Sequence, residues 1–154
     1  MDLTLTTEIG KLNVRVAAVI LYDGKILVEK GDNANFSVCL GGRVMFGETV
    51  EHAIERELTE ELGEKPRIIR PLYVHQNFFD MDGFDYHELC FFFLAEVPQS
   101  ICQKQTFRNL NGKSSFTWVS TDELTNTDFF PTFLKQSVNN LPEKTVFVTE
   151  YKKG

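Results

Sequence analysis

From Thr49 to Gly63 the chain reads TVEHAIERELTEELG, and this stretch limits what the rest of the sequence can do. Thr49 can cap a helix and Gly63 can end it. At about 100° per residue, Val50, Ala53, Ile54, Leu58 and Leu62 form the apolar arc that turns toward a core. Glu57, Glu60 and Glu61 fall within or against that same arc. The solvated face is already filled by Glu51, His52, Glu55 and Thr59. Neighbouring carboxylates on a helix repel one another. An inward surface that keeps three of them needs a cation to offset the charge, and hard Mg²⁺ or Mn²⁺ prefers oxygen ligands.

The segments around this helix alternate between strand and turn. NVRVAAVILY and KILVEK are joined by Asp23-Gly24, and RIIRPLYVHQNFF and YHELCFFFLAEV by a turn containing Asp82-Gly83. Asp-Gly tolerates the positive φ of tight hairpin turns, so each pair is expected to form a hairpin. Pro71 is expected at an edge or bulge. Downstream, SSFTWVS and TVFVTEY read as strands. Ser120 and Glu123 have capping-box spacing for a short helix, and Pro131 is suited to opening another that runs to about Val138. A mixed sheet with helices packed on it follows, and 154 residues suit one domain over 1–154.

Composition narrows the functional classes. A net charge of -6 offers no general attraction for phosphate backbones, which argues against nonspecific nucleic-acid or membrane-surface binding. An anionic substrate would need metal ions or a local basic patch. No apolar run reaches the roughly 18 residues of a membrane span, and MDLTLTTEIG lacks the basic start and apolar middle of an export signal. Cys39, Cys90 and Cys102 form no CxxC or Cys/His cluster, so they are expected as reduced core thiols of a cytoplasmic protein.

Upstream of the helix, CLGGRVMFGE supplies a glycine loop. The two join into one pattern: Gly42, five residues, Glu48, seven residues, Arg56-Glu57-Leu58, one residue, Glu60-Glu61, one residue, Gly63. This pattern resembles the Nudix box, the signature of the Nudix hydrolases. Three positions depart from the usual family sequence. Glu64 stands where an apolar residue is common, Leu40 replaces a proline, and Met45 stands where many members carry an acid. The resemblance extends more loosely over residues 12 to 140.

The resemblance implies an α/β/α sandwich around a central mixed β-sheet. It implies hydrolysis of a diphosphate in a nucleoside diphosphate derivative, with water attacking phosphorus. By motif position Glu57, Glu60 and Glu61 would be ligands of Mg²⁺ or Mn²⁺, with the carbonyl of Gly41 as a further one. Arg56 would brace Glu57 or Glu48. Which carboxylate takes the proton varies in the family, so Glu57 and Glu48 both stand as candidates. Glu88 is either a third candidate or second-metal ligand at a strand mouth, or an exposed strand-end acid.

Arg15, Arg43 and the aromatic turn NFFDMDGFDY are candidates for substrate contact, since Arg clamps phosphates and aromatic rings stack bases. Phe91, Phe92 and Phe93 read as core. His75 and His87 read as strand residues, not ligands. A homodimer is compatible with the family, many small members of which dimerise. Two other classes remain: a nucleotide-sensing domain that binds without cleaving, which the intact box disfavours, and an interaction module, which would not need three inward acids.

Overall fold

The computed structural model describes residues 1–152. Its elements run β1 (Thr4–Thr6), β2 (Lys11–Tyr22), β3 (Lys25–Gly31), β4 (Ser37–Val38), β5 (Leu40–Arg43), α1 (Val50–Leu62), β6 (Arg67–Met81) and β7 (Phe84–Glu96). They continue with α2 (Gln99–Cys102), β8 (Thr106–Arg108), β9 (Ser114–Ser120), a 3₁₀ helix (Thr121–Asn126), β10 (Phe129–Phe130), α3 (Thr132–Ser137) and β11 (Val146–Lys152).

The sheet order is β10-β4-β3-β2-β7-β6-β11. β2 pairs in parallel with β7 and antiparallel with β3 and β5, while β6 and β7 form the long hairpin. Both expected Asp-Gly turns are present, with positive φ at Asp23, Gly24, Asp82 and Gly83. The register of β6 against β7 shifts between Pro71 and Tyr73, the irregularity expected of a proline inside a paired strand.

Alternation along β2 divides two cores. Val16, Ala18 and Ile20 face α1 and pack with Ala53, Ile54, Leu58 and Leu62. Ala17 and Val19 face the other way, into a layer with Leu124 of the 3₁₀ helix and Leu134 of α3. This is the α/β/α sandwich, with the mixed sheet in the middle. Phe92 and Phe93 are buried in opposite cores, and Phe91 packs partly buried against the α1 side. Cys39 and Cys90 are buried and all three cysteines are free. Among the described residues no helix is long and apolar enough to cross a membrane.

One local expectation fails. The segment after Ser120 forms a 3₁₀ helix, and the Ser120 side chain makes no capping hydrogen bond. Thr121 instead donates both its N–H and its hydroxyl to the Gly24 carbonyl, tying the segment to the first hairpin turn. Those tertiary bonds replace the local cap.

The ends of α1 follow the sequence closely. Thr49 Oγ1 accepts from the His52 N–H at 3.1 Å. Gly63 adopts the left-handed conformation at φ 76° and donates its N–H to Thr59. Thr49→Ala removes an acceptor for a helix-end N–H and is expected to cost about 1 kcal/mol. Urea denaturation measures this, and a loss below about 0.3 kcal/mol would mean that packing alone holds the helix start.

Candidate active site

The loop between β5 and α1 is held to the helix by one side chain. Arg56 donates from Nε and Nη2 to the two oxygens of Glu48, at 2.7 and 2.9 Å, in a bidentate pair. Its Nη1 reaches Glu57 at 3.0 Å and Glu60 at 3.4 Å, and Nη2 also donates to the Arg43 carbonyl at 3.1 Å. Glu48 accepts in addition from the Met45 N–H and contacts the His52 ring. The Arg56 hydrogen bonds lead the causes that hold its carboxyl down near pKa 2. A carboxylate engaged this fully is a brace and a poor proton acceptor.

Glu57 lies one step deeper. Its side chain is 17% exposed, and burial pushes its pKa up against the pull of Arg56. The carboxylate rests on the backbone of Gly42, where any Cβ would overlap it. At Gly41 a Cβ would overlap the Val16 carbonyl of β2. The two glycines therefore serve different neighbours: one admits the carboxylate, the other the strand.

Glu61 is the most strained of the acids. Its Oε2 is buried and has no hydrogen-bond partner among the described residues. Burial raises its pKa to about 9, followed by the negative charges of Glu29 and Glu57, with Arg15 opposing them. Glu29 is a site residue that the sequence reading missed. On β3 it shares a face with the buried Leu27, and this alternation was the available signal. Its Oε2 accepts from Asn109 at 3.1 Å and Ser114 at 2.7 Å.

Glu60 corrects the inward expectation. It is 61% exposed and stands at the outer rim, because its angle lies beyond Ala53 at the edge of the buried stripe. Arg43 is exposed and sits opposite Arg15 in the β2–β5 register, offering its carbonyl to Arg56.

A cavity of about 160 Å³ adjoins this cluster, and Arg15 and Gly41 belong to its lining. Glu88 lines it too and accepts from Asn13 Nδ2 at 3.3 Å. Glu88 is thus half-buried in a cavity wall, not an exposed strand-end acid. His75 and Asn77 of β6 complete a polar floor that the sequence reading did not assemble.

Of the aromatic turn only Asn77 lines this cavity, and its rings do not. Phe78 stacks on Tyr151 with centroids 4.8 Å apart, and Phe79 stacks on Tyr86 at 4.8 Å. His87 packs on Phe78. These rings satisfy one another along the hairpin arm.

Among the described residues, no three acidic, His or Cys side chains converge as a ready-made cation cage. The donor set nevertheless suits a hard divalent cation. Glu57, Glu60 and Glu61 offer only oxygen, and the Glu61 Oε2 is desolvated without a partner.

The NUDIX domain family matches residues 11–140. The chain belongs to this family. Over 67 residues it is 42% identical to an ADP-ribose pyrophosphatase of Methanocaldococcus jannaschii, a match covering 42% of this chain and 40% of that protein. The match therefore spans less than half of that relative. The MutT protein of Bacillus halodurans superposes with a TM-score of 0.65 at 16% identity, covering 89% of this chain and 88% of that one. An ADP-ribose pyrophosphatase of Streptococcus suis gives 0.58 at 14% identity, covering 88% and 98%. At these identities the structural likeness is one of fold.

The Glu61 environment predicts a pH signature in metal-free buffer. Its folded pKa of about 9 lies above the ordinary 4.5, so between these values the native state holds a proton that the unfolded chain has released. Stability is full below the ordinary value and declines as pH rises toward the raised one. Glu61→Gln is therefore expected to exceed wild-type stability in EDTA at about pH 8 and to approach it at about pH 5. Urea denaturation at both pH values checks this; a difference independent of pH would detach the effect from Glu61 ionisation.

Proposed function

We propose that this NUDIX protein hydrolyses the diphosphate linkage of a nucleoside diphosphate derivative by water attack at phosphorus. The observation that carries the reading is the desolvated, under-neutralised pair Glu57 and Glu61, with Glu60 at the rim and Arg56 committed to bracing Glu48. Such an arrangement is costly for stability alone and useful where a cation and a phosphate must meet. The identity to an ADP-ribose pyrophosphatase supports the same chemistry over the part of the chain that it spans.

Glu57, Glu60, Glu61 and the Gly41 carbonyl are the groups that would hold Mg²⁺ or Mn²⁺, which when bound offsets the diphosphate charge and acidifies water. The chain's own residues supply the rest. Arg15 bears on both Glu57 and the cavity, so its guanidinium can meet an oxygen of the phosphate under attack. Arg43, opposite it in register, adds a second positive charge at the strand edge.

The water oxygen forms a bond to phosphorus as the bridging P–O bond breaks, and the leaving phosphate departs with the electron pair. The water proton passes to a carboxylate. Glu57, whose pKa burial raises, is suited to take it. Glu88, free of any Arg partner and facing the cavity, is the second candidate. Arg56 and Glu48 act by keeping the loop in register with the helix. A domain that only senses nucleotides would not need the paired desolvated acids.

Assay with ADP-ribose, nucleoside triphosphates, dinucleoside polyphosphates and nucleotide sugars in Mg²⁺ or Mn²⁺ tests the reading, with the phosphate products identified. Glu60→Gln and Glu61→Gln are expected to lower turnover on the order of 10²-fold or more on whichever substrate is cleaved. Near-wild-type rates in both would remove the acids from catalysis.

Glu88→Gln separates the two proton acceptors. A tenfold or larger fall in kcat with KM little changed would assign proton transfer to Glu88. Kinetics within about a factor of two of wild type would leave it with Glu57.

A further inference from the structure

β11 is the last strand in the sheet order, and among the described residues only β6 pairs with it. That pairing is parallel and unbroken, from Val146 opposite Tyr73 to Lys152 opposite Phe79. Alternate N–H and C=O groups of β11 therefore turn away from β6, toward an edge that no strand among the described residues occupies. Protected edges are usually short, bulged, or interrupted by proline. This one has none of those devices over Val146–Lys152.

The face that β11 shares with Val74 and Phe91, on the α1 side of the sheet, carries Phe147 and Tyr151. They are 71% and 75% exposed. Rings already form a ladder across this face. His87 of β7 packs on Phe78 of β6 with centroids 4.5 Å apart, and Phe78 stacks on Tyr151 at 4.8 Å. The ladder stops at the open edge, with Tyr151 as its last rung.

Geometry restricts how this strand can meet its own copy. In an antiparallel pair, facing residues must turn their backbone groups either both inward or both outward, and these alternate along the chain. The two-fold axis then passes through a residue, never between two. With the axis at Thr149, all seven residues of β11 are paired. Phe147 faces Tyr151 of the second copy, Val148 faces Glu150, Val146 faces Lys152, and Thr149 faces Thr149. No like charges stand opposite each other. An axis at Glu150 would oppose two carboxylates, and an axis at Val148 would carry Tyr151 past the end of the facing strand.

In the Thr149 register Phe147 of each copy becomes the next rung beyond Tyr151 of the other. Aromatic and Thr–Thr pairs across strands stabilise a sheet. Both rings that complete the ladder lie on one strand, at positions that face each other, and this favours a second copy over an unrelated strand. Lys152 lines the cavity, so Val146 of the second copy would cover its stem at the cavity's edge.

We propose that β11 is an interface between two copies of this chain, joined antiparallel about Thr149 into one continuous sheet with closed two-fold symmetry.

Sedimentation equilibrium on the full chain tests this without substrate or metal. A dimer is expected at about 100 μM, since self-association depends on protomer concentration. A monomer at that concentration, or an open series beyond the dimer, would overturn the proposal. Phe147→Glu and Tyr151→Lys are each expected to weaken dimerisation by about tenfold or more, because each removes a ring from a facing pair that occurs twice. Combined in one chain, they set an introduced carboxylate opposite an introduced ammonium in this register alone. The double variant is expected to recover most of the loss at low salt. Single variants that dimerise like wild type, or a double variant no tighter than the singles, would overturn the pairing.

Amide exchange on the wild type gives a readout free of substitutions. Protection within Val146–Lys152 is expected to rise between about 1 and 100 μM. Protection there that is independent of concentration would place any dimer on another surface and overturn this one.

Discussion

The bidentate pair between Arg56 and Glu48 is the constraint on which the site depends, because it decides where the only guanidinium on α1 is spent. The Glu48 side chain is 6% exposed, and the Arg56 hydrogen bonds hold its pKa down to about 2. Removing Arg56 would leave the Glu48 carboxylate with only the Met45 N–H and the His52 ring beside it. Arg56 is therefore not free to neutralise the rest of the helix. It gives Glu57 one bond, Glu60 a long one, and Glu61 none that the structure records. The result is a local deficit of positive charge beside a rigid loop.

That deficit is deepened by a residue from another element. Glu29 brings a further negative charge toward Glu61 from β3, while Asn109 and Ser114 fix its orientation. The negative charge of Glu29 on one element thus adds to the cost of ionising Glu61 on another, and Arg15 opposes this. The surrounding fold can carry the cost because the apolar stripe of α1 is fully used: Ala53, Ile54 and Leu58 are completely buried. Packing holds the helix in place while its acidic edge opposes it. Sites that bind charged ligands commonly show this exchange of stability for function.

Much of the site's linear part was legible in the sequence, because its determinants are local. Thr49, Gly63, both Asp-Gly turns and the Arg56–Glu48 spacing each act over a few residues, and the structure realises them. What escaped depends on strands far apart in sequence. Glu29 enters the acidic cluster only because β3 runs beside β2. The His75–Glu150 contact exists only because β11 docks on β6, and no short-range pattern encodes that pairing. Glu60 was misjudged for a different reason: helical angle gives the direction of a side chain but not how far the neighbouring layer extends. The aromatic turn suggested stacking on a ligand, yet Tyr86 and Tyr151 were available within the sheet and took that role.

β2 joins the two halves of the site through the alternation that separates the two cores. Val16 and Ala18 point to the α1 layer, whereas Asn13, Arg15 and Ala17 lie on the face of the cavity. Its parallel register with β7 sets Asn13 beside Glu88 and Arg15 beside Cys90, and β6 continues those rows to Asn77 and His75. A one-residue slip of β2 would exchange its faces, burying Arg15 under α1 and removing the positive charge from the cavity. The loop glycines guard against such a slip from the other side, since Gly41 is in close contact with the Val16 carbonyl and Gly42 with Glu57. Register in the central strand, glycine in the paired loop and arginine on the helix are therefore three expressions of one requirement: that acids on one element and a cation on another meet at the same end of the sheet.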